Sequence, residues 1–288
     1  MSEKVMLMLK VSYNRQMSQK IKNAVIWVSV VVAALVMFFP IYWMFVTAVR
    51  PREEIFAPEV QLWPSEFVWS NFVEAWNTLP FTQWYINSFA IALIAVVITV
   101  FINLLAGYTF AKYDFPGRNV IFLLLLSTLM IPIQVYIVPE YLIVAQLGWV
   151  NTYWGVIFPR AAEAFGIFLV RQFMMSIPDE LIEAARIDGA SEFTIFRKVV
   201  LPLSGPVIAV LIIFTFMWRW NDFAWPIVVL QDQEAYTVPL GLNLMQGAYY
   251  TEWTYLMAMT LVSILPMLLI FIFFQRYFVQ GIARTGLK

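Results

Sequence analysis

Six stretches of this chain stay apolar, with almost no charge, for about the length a helix needs to cross a bilayer, and polar segments separate them. They lie near residues 24–49, 85–111, 119–138, 153–175, 203–230 and 254–279. A helix rises 1.5 Å per residue, so about 20 apolar residues cover a hydrocarbon core about 30 Å thick. Each stretch is therefore predicted to be a transmembrane helix, and the fold class to be an all-α integral membrane protein. Residues 139–150 (PEYLIVAQLGWV) are apolar but too short to cross, and Pro139 and Gly148 interrupt them. They are predicted to lie along the outer interface, with Glu140 in the outer loop.

The polar positions orient these helices. Cytoplasmic loops collect Lys and Arg. Lys4, Lys10, Arg15, Lys20 and Lys22 precede the first stretch, and Lys112 and Arg118 follow the second. Arg171, Arg186, Arg197 and Lys198 mark the segment between the fourth and fifth; Arg276, Arg284 and Lys288 mark the end. The alternate loops hold only Arg50 and Arg52, amid Glu53, Glu54, Glu59, Glu66, Glu74, Asp232, Glu234 and Glu252. Both termini are thus expected in the cytoplasm, as a tail over 1–23 and another over 280–288, flanking a six-helix domain over 24–279. Trp63, Trp69, Trp76, Trp84, Trp149, Trp154 and Trp253 fall on or beside outer loops, where tryptophan anchors to the interface. The first apolar run is too long for a signal-peptide core and lacks a small-residue cleavage site, so it is expected to be retained.

Composition narrows the chemistry. With 62% hydrophobic and 12% charged residues among 288, the chain has far too little polar surface for a water-soluble domain, where about 25% is charged. Net charge is zero, which gives no reason to expect a nucleic-acid partner. The absence of cysteine excludes disulfides and thiol chemistry, and the absence of histidine removes the commonest metal ligand and general base. No Gly-rich phosphate loop of the G-x-x-x-x-G-K-[ST] type occurs, so ATP is not held by that route. No cofactor or metal is expected on this chain, and an enzyme embedded in the membrane finds little to work with.

Within the spans, Pro40, Pro132, Pro159, Pro226 and Pro266 each remove a backbone donor and can kink a helix. Charges at membrane depth cost about 2.5–3.5 kcal/mol each at a helix centre, so Arg160 and Glu163, three apart, and Arg219 and Asp222, also three apart and beside Asn221, stand out. That spacing lets each pair meet on one helical face. The five residues could line a solute path, or form two self-neutralising pairs near the outer interface.

The most informative segment is 176-SIPDELIEAARIDGASEFTIFRKVVLPLSGP-206, on the cytoplasmic side. Ser176 can cap a helix with Pro178 and Asp179 in its first turn, and Gly189 can end it in a left-handed conformation. Ser191 can cap a second short helix, with Phe193, Phe196 and Val200 spaced to bury one side. The sequence thus predicts a helix–glycine–helix elbow against the membrane. Ala184 and Ala185 would let another backbone approach closely, between the polar residues Glu183, Arg186 and Asp188.

Glu183-Ala184-Ala185, then Gly189, Val199 and Leu201-Pro202, resemble the EAA loop of permease subunits of ATP-binding-cassette importers. The family usually has isoleucine where Val199 stands. The wider string and the ending 275-QRYFVQGIARTGLK-288 resemble the second permease subunit of carbohydrate importers of the maltose type, over roughly residues 70–288. The resemblance implies a type I ABC importer permease fold in a prokaryotic cell membrane. It implies a second homologous permease subunit, a dimer of ATP-binding subunits carrying ATP and Mg, and an extracytoplasmic solute-binding protein. Within the loop at 176–202, Glu183, Ala184, Ala185, Asp188, Gly189, Leu201 and Pro202 would form the cytoplasmic coupling helix and its anchor. Arg284 to Lys288 would reach the ATPase. The implied cargo is a sugar, an oligosaccharide or a glycerol-phosphate-like solute. A self-sufficient secondary transporter or channel is the alternative, but the halves show no obvious duplication and the intramembrane carboxylates are matched by arginines.

Overall fold

A computed structural model of the protein describes the backbone of residues 3–59, 61–247 and 251–285, and the side chains of residues 19–59, 61–247 and 251–275. The helices run, in chain order, α1 (Glu3–Val49), α2 (Ser70–Thr78), α3 (Phe81–Lys112), α4 (Arg118–Ser127) and α5 (Ile133–Gln146). Next come α6 (Tyr153–Ile157), α7 (Ala164–Met174), α8 (Asp179–Ile187), α9 (Glu192–Ile195) and α10 (Leu201–Leu203). The chain continues through α11 (Gly205–Trp220), α12 (Pro226–Val229), α13 (Val238–Leu244) and α14 (Trp253–Thr285). Among the described residues, three helices are long and apolar enough to span: Gln19–Val49 within α1, all of α3, and Trp253–Gln275 within α14. Three bent pairs among the described residues pass the same test, Arg118–Met130 with Ile133–Gln146, Tyr153–Arg160 with Ala164–Met174, and Glu192–Leu203 with Gly205–Trp220, the last bent by 79°, and counting each pair as one gives up to six.

The bends have local causes. After α4 and a 3-10 turn at Thr128–Met130 the chain turns by 106° into α5. Ile131 is extended because it precedes Pro132, and Pro132 has no N–H to continue the helix. The lateral helix therefore starts at Ile133, not at Pro139 as the apolar pattern suggested, and Glu140 lies inside it rather than in a loop. A 46° bend separates the 3-10 turn Phe158–Arg160 from α7, with Glu163 extended at the break. The expected span at 203–230 also divides: α11 stops at Trp220, and four non-helical positions precede Trp225 and α12. There Asn221 Nδ2 donates to the Met217 carbonyl (2.8 Å), Asp222 Oδ1 accepts from Trp225 N, and Pro226 cannot extend a helix backwards. Pro40 and Pro266, by contrast, sit inside continuous helices.

The chain divides into two compact units. One comprises Met1–Val73 with Trp253–Leu261, and its joint is polar: Asn71 Nδ2 donates to the Ala48 and Arg50 carbonyls at 3.0 and 3.1 Å. Arg50 is buried there, donating to Gln61 O (2.8 Å), and the Arg52 guanidinium sits over the Tyr255 ring at 4.5 Å. These two arginines are bound into the fold.

The other unit comprises Glu74–Glu252 with Val262–Lys288 and is built around α3, which packs on α7 and α11. Lipid is as apolar as the side chains between these helices, so close fit rather than escape from water holds them together. Glycines make that fit possible. A Cβ on Gly107 would meet Val170 at 2.4 Å, and one on Gly166 would meet the Asn103 amide at 2.0 Å. Toward the other end, Ile91, Ala95, Val156, Ile157, Trp225 and Val229 form a continuous apolar core. Trp84 belongs to this interior rather than to an interfacial belt: it is fully buried, packs on Gly241 and donates to Gln233 O (2.7 Å).

Candidate functional site

The elbow is formed by α8, α9 and the turn between them. Helix α8 begins at Asp179 with Pro178 as its N-cap; Ser176 does not cap it, because its hydroxyl donates to Phe173 O instead. Gly189 adopts φ +80°, and the helix closes with Gly189 N bonding Arg186 O and Ala190 N bonding Ala185 O, both at 3.0 Å. This paired closure requires a left-handed residue at Gly189, which glycine takes without steric cost. Ser191 then caps α9 through Thr194 N. A π-turn at Phe196–Val200 leads into α10 and Pro202. Its extra residue shifts the apolar phase, so Ile195, Phe196 and Val200 are buried while Phe193 is 67% exposed. Phe193 was expected on the buried side, and it instead joins Ile187 (86% exposed) and Leu181 on the outward surface. Glu183, Ala184, Asp188 and Gly189 are exposed too, with Ala185 and Leu201 half-buried.

The elbow is fastened to the lower end of α3. Lys112 Nζ donates to Ile177 O (2.6 Å) and pairs with Asp179 (2.5 Å), at the start of α8. Tyr113 donates to Glu192, at the start of α9, and Arg186 grips the same carboxylate at 2.7 and 3.2 Å. Hydrogen bonds from Arg186 and Tyr113 hold the Glu192 carboxyl below the usual glutamate range. Burial, followed by the Glu192 hydrogen bond, pushes the Tyr113 hydroxyl up.

A second polar cluster lies where the broken helices meet. Arg219, at the end of α11, pairs with Glu163 (2.5 Å) and donates to the Arg160 carbonyl (2.6 Å). Arg160 approaches Glu140 of α5 at 3.5 Å and lies over the Trp225 ring at 5.7 Å. The pairs therefore join different helices, and the i, i+3 pairings Arg160–Glu163 and Arg219–Asp222 anticipated from spacing do not form as ion pairs. The breaks explain this, since an i, i+3 contact needs continuous helix between the partners. Arg160, Glu163, Arg219 and Asp222 line an open cavity of about 880 Å³, together with Tyr136, Phe165 and Trp218. Asn221 is not in that lining and closes the end of α11. Beneath the cluster, fully buried Asn103 of α3 accepts from Glu163 N (3.2 Å).

Sequence reasoning missed Glu140, Asn103, Lys112 and Tyr113. Only Asn103, an amide in the middle of an apolar span, left a signal that a scan for polar groups at depth could have found. The side chain of Arg284, and all of Lys288, lie outside the described residues.

Residues 17–284 match the family described as binding-protein-dependent transport system inner membrane component. The chain belongs to this family. Among relatives, the permease is 38% identical over 263 residues to the sn-glycerol-3-phosphate transport system permease protein UgpE of Pectobacterium atrosepticum, covering 88% of this chain and 94% of that one. It is 35% identical over 278 residues to the arabinooligosaccharides transport system permease protein AraQ of Halalkalibacterium halodurans, covering 94% and 100%. A chain from the crystal structure of a bacterial ABC transporter involved in the import of the acidic polysaccharide alginate superposes with a TM-score of 0.79 at 26% identity, covering 91% of this permease and 98% of that chain. A chain from the alginate transporter in complex with its pentasaccharide-bound periplasmic protein shares the fold at a TM-score of 0.66 and 16% identity. The permease thus has the type I importer fold, with its bent pairs completing six spans.

Proposed function

We propose that this permease is one half of the pathway of an ATP-driven importer for a sugar or related polar solute. An extracytoplasmic binding protein delivers the solute, a second homologous permease completes the path, and separate ATP-binding subunits hydrolyse ATP with Mg. Both termini lie in the cytoplasm, in keeping with the placing of Lys and Arg along the sequence. The relatives named for glycerol phosphate and arabinooligosaccharides support a polyol or carbohydrate cargo.

One observation carries this reading: the elbow presents an apolar knob that the described residues leave exposed. Leu181, Ile187 and Phe193 face outward beside Glu183, Ala184 and Asp188, on a helix pair whose turn is fixed by Gly189. The exposed alanine lets a partner backbone approach, Glu183 and Asp188 give polar edges, and Leu201 and Pro202 anchor the elbow to the fifth span. Arg284 and Lys288 would add a contact from the C-terminal tail. The cavity lined by Arg160, Glu163, Arg219 and Asp222 is the solute path, with Asn221 at its margin.

The test uses the assembled importer. Gly189→Trp and Glu183→Lys are expected to insert normally yet lose coupled ATP hydrolysis. Gly189→Asn separates backbone strain from bulk, since asparagine tolerates the left-handed region. Unchanged uptake in both disruptive variants would contradict the docking role.

A further inference from the structure

Helix α3 touches both features just assigned, and neither assignment uses it. At one end Lys112 holds the start of α8 and Tyr113 holds the start of α9, so both limbs of the elbow are tied to one helix terminus. Lys112 is nearly buried, with 6% of its side chain exposed. Its ammonium is thus held between the Ile177 carbonyl and the Asp179 carboxylate, whose own side chain is 73% exposed. Further along the same helix, Asn103 accepts from the backbone N–H of Glu163, the residue at the break between the two halves of the fourth span. Glu163 in turn holds Arg219 of α11.

The fit around Asn103 is specific. Its amide lies where a Cβ on Gly166 would stand, at 2.0 Å, and its own Nδ2 is buried with no hydrogen-bond partner. A buried donor without a partner costs about 1–3 kcal/mol, so an amide is a poor choice here for packing alone. The uninterrupted helix between Asn103 and Lys112 contains no proline and meets α7 at Gly107, against Val170, and at Phe110, whose carbonyl accepts from Arg171. It is stiff over this length, because kinks need proline, a bulge or an inserted group.

From this geometry we propose that α3 is the rod that carries movement of the elbow to the ion-paired cavity. Lys112 and Tyr113 are the lower clamp, and Asn103 is the upper contact that shifts Glu163 and with it the Glu163–Arg219 pair. All three are positioning residues. The proposal rests on the docking role given to the elbow above.

The experiment exploits the absence of cysteine in this chain. Ala162→Cys places one thiol in the cavity lining, and its reaction with a maleimide is read on this subunit's own band in the complete importer. The ratio of rates with and without vanadate-trapped nucleotide is expected to depart from unity in the parent. Lys112→Met and Asn103→Leu are each expected to return that ratio to unity while ATP-binding subunits still co-purify and hydrolyse ATP. Leucine matches asparagine in shape, and removing the unpartnered Asn103 Nδ2 offsets the Glu163 N–H that it leaves without an acceptor, so the fold should tolerate it. Lys112→Arg is expected to keep the response. A ratio unchanged in both disruptive variants overturns the rod while leaving elbow docking intact. If the parent itself shows no nucleotide response, the docking role falls and the rod falls with it.

Discussion

Removing Glu163 should cost this permease more than removing the pair it belongs to. The Arg219 side chain is 4% exposed and that of Glu163 is 14% exposed, so the open cavity gives each charge little water to replace its partner. Glu163→Leu leaves the guanidinium beside the Arg160 carbonyl without its carboxylate. An uncompensated buried partner costs about 3–5 kcal/mol, which is roughly two to four decades in the folded-to-unfolded ratio. The double variant Glu163→Leu/Arg219→Leu removes both charges from an apolar setting and is expected to recover most of that loss. Unfolding titrated with a denaturing detergent and followed by helical circular dichroism gives the comparison. Equal losses in the single and double variants would refute the reasoning, because they would mean that the lost side-chain volume, not the stranded charge, sets the cost. Uptake measured on the double variant separates stability from transport: a stable but inactive protein assigns the pair to the path.

Other expectations are simpler to check. Gly241→Ala drives a Cβ to 2.0 Å from a Trp84 ring that is itself hydrogen-bonded, so overpacking should cost about 1–3 kcal/mol; Gly148→Ala meets nothing within 4 Å and should cost about 1–2 kcal/mol from its left-handed backbone alone. Glu192 has a depressed folded pKa, so its contribution to elbow order is present above the unfolded value of about 4.3 and is lost as pH falls through the folded one. Hydrogen exchange of α8 and α9 amides should therefore accelerate on acidification, and Glu192→Gln should be fast already at neutral pH and lose that pH response. Asp222→Ala is expected to alter uptake while leaving ATP-subunit association intact; a change in assembly alone makes the residue structural.

How much of this was legible depends on whether a feature is local. The elbow could be read from Gly189 and Ser191 because a left-handed closure and an N-cap are decisions made within a few residues, and both form as expected. Straight spans were equally plain, since length and apolarity suffice for α1, α3 and α14. Broken spans were not. Pro132 and Pro226 stand where a new helix begins while Pro40 and Pro266 lie inside one, and at Pro266 the carbonyl its ring frees, Val262 O, accepts from the Tyr85 hydroxyl of another helix. Ion pairing failed for the same reason: spacing within one segment suggested Arg160 with Glu163, whereas the break let Glu163 turn to Arg219 on another helix. Trp84 looked like an anchor beside an outer loop, and only the tertiary fold reveals the Gly241 notch that receives it.

Among the described residues, none in the most apolar window of the first span is buried. Side chains such as Leu35, Val36 and Met37 face outward, where an acyl chain serves as well as a neighbouring leucine. Their identity is consequently invisible to this subunit's own stability, and exchange among Leu, Ile, Val and Phe there should be neutral in the isolated chain. Any intolerance found along that helix in the working transporter is therefore a footprint left by another polypeptide.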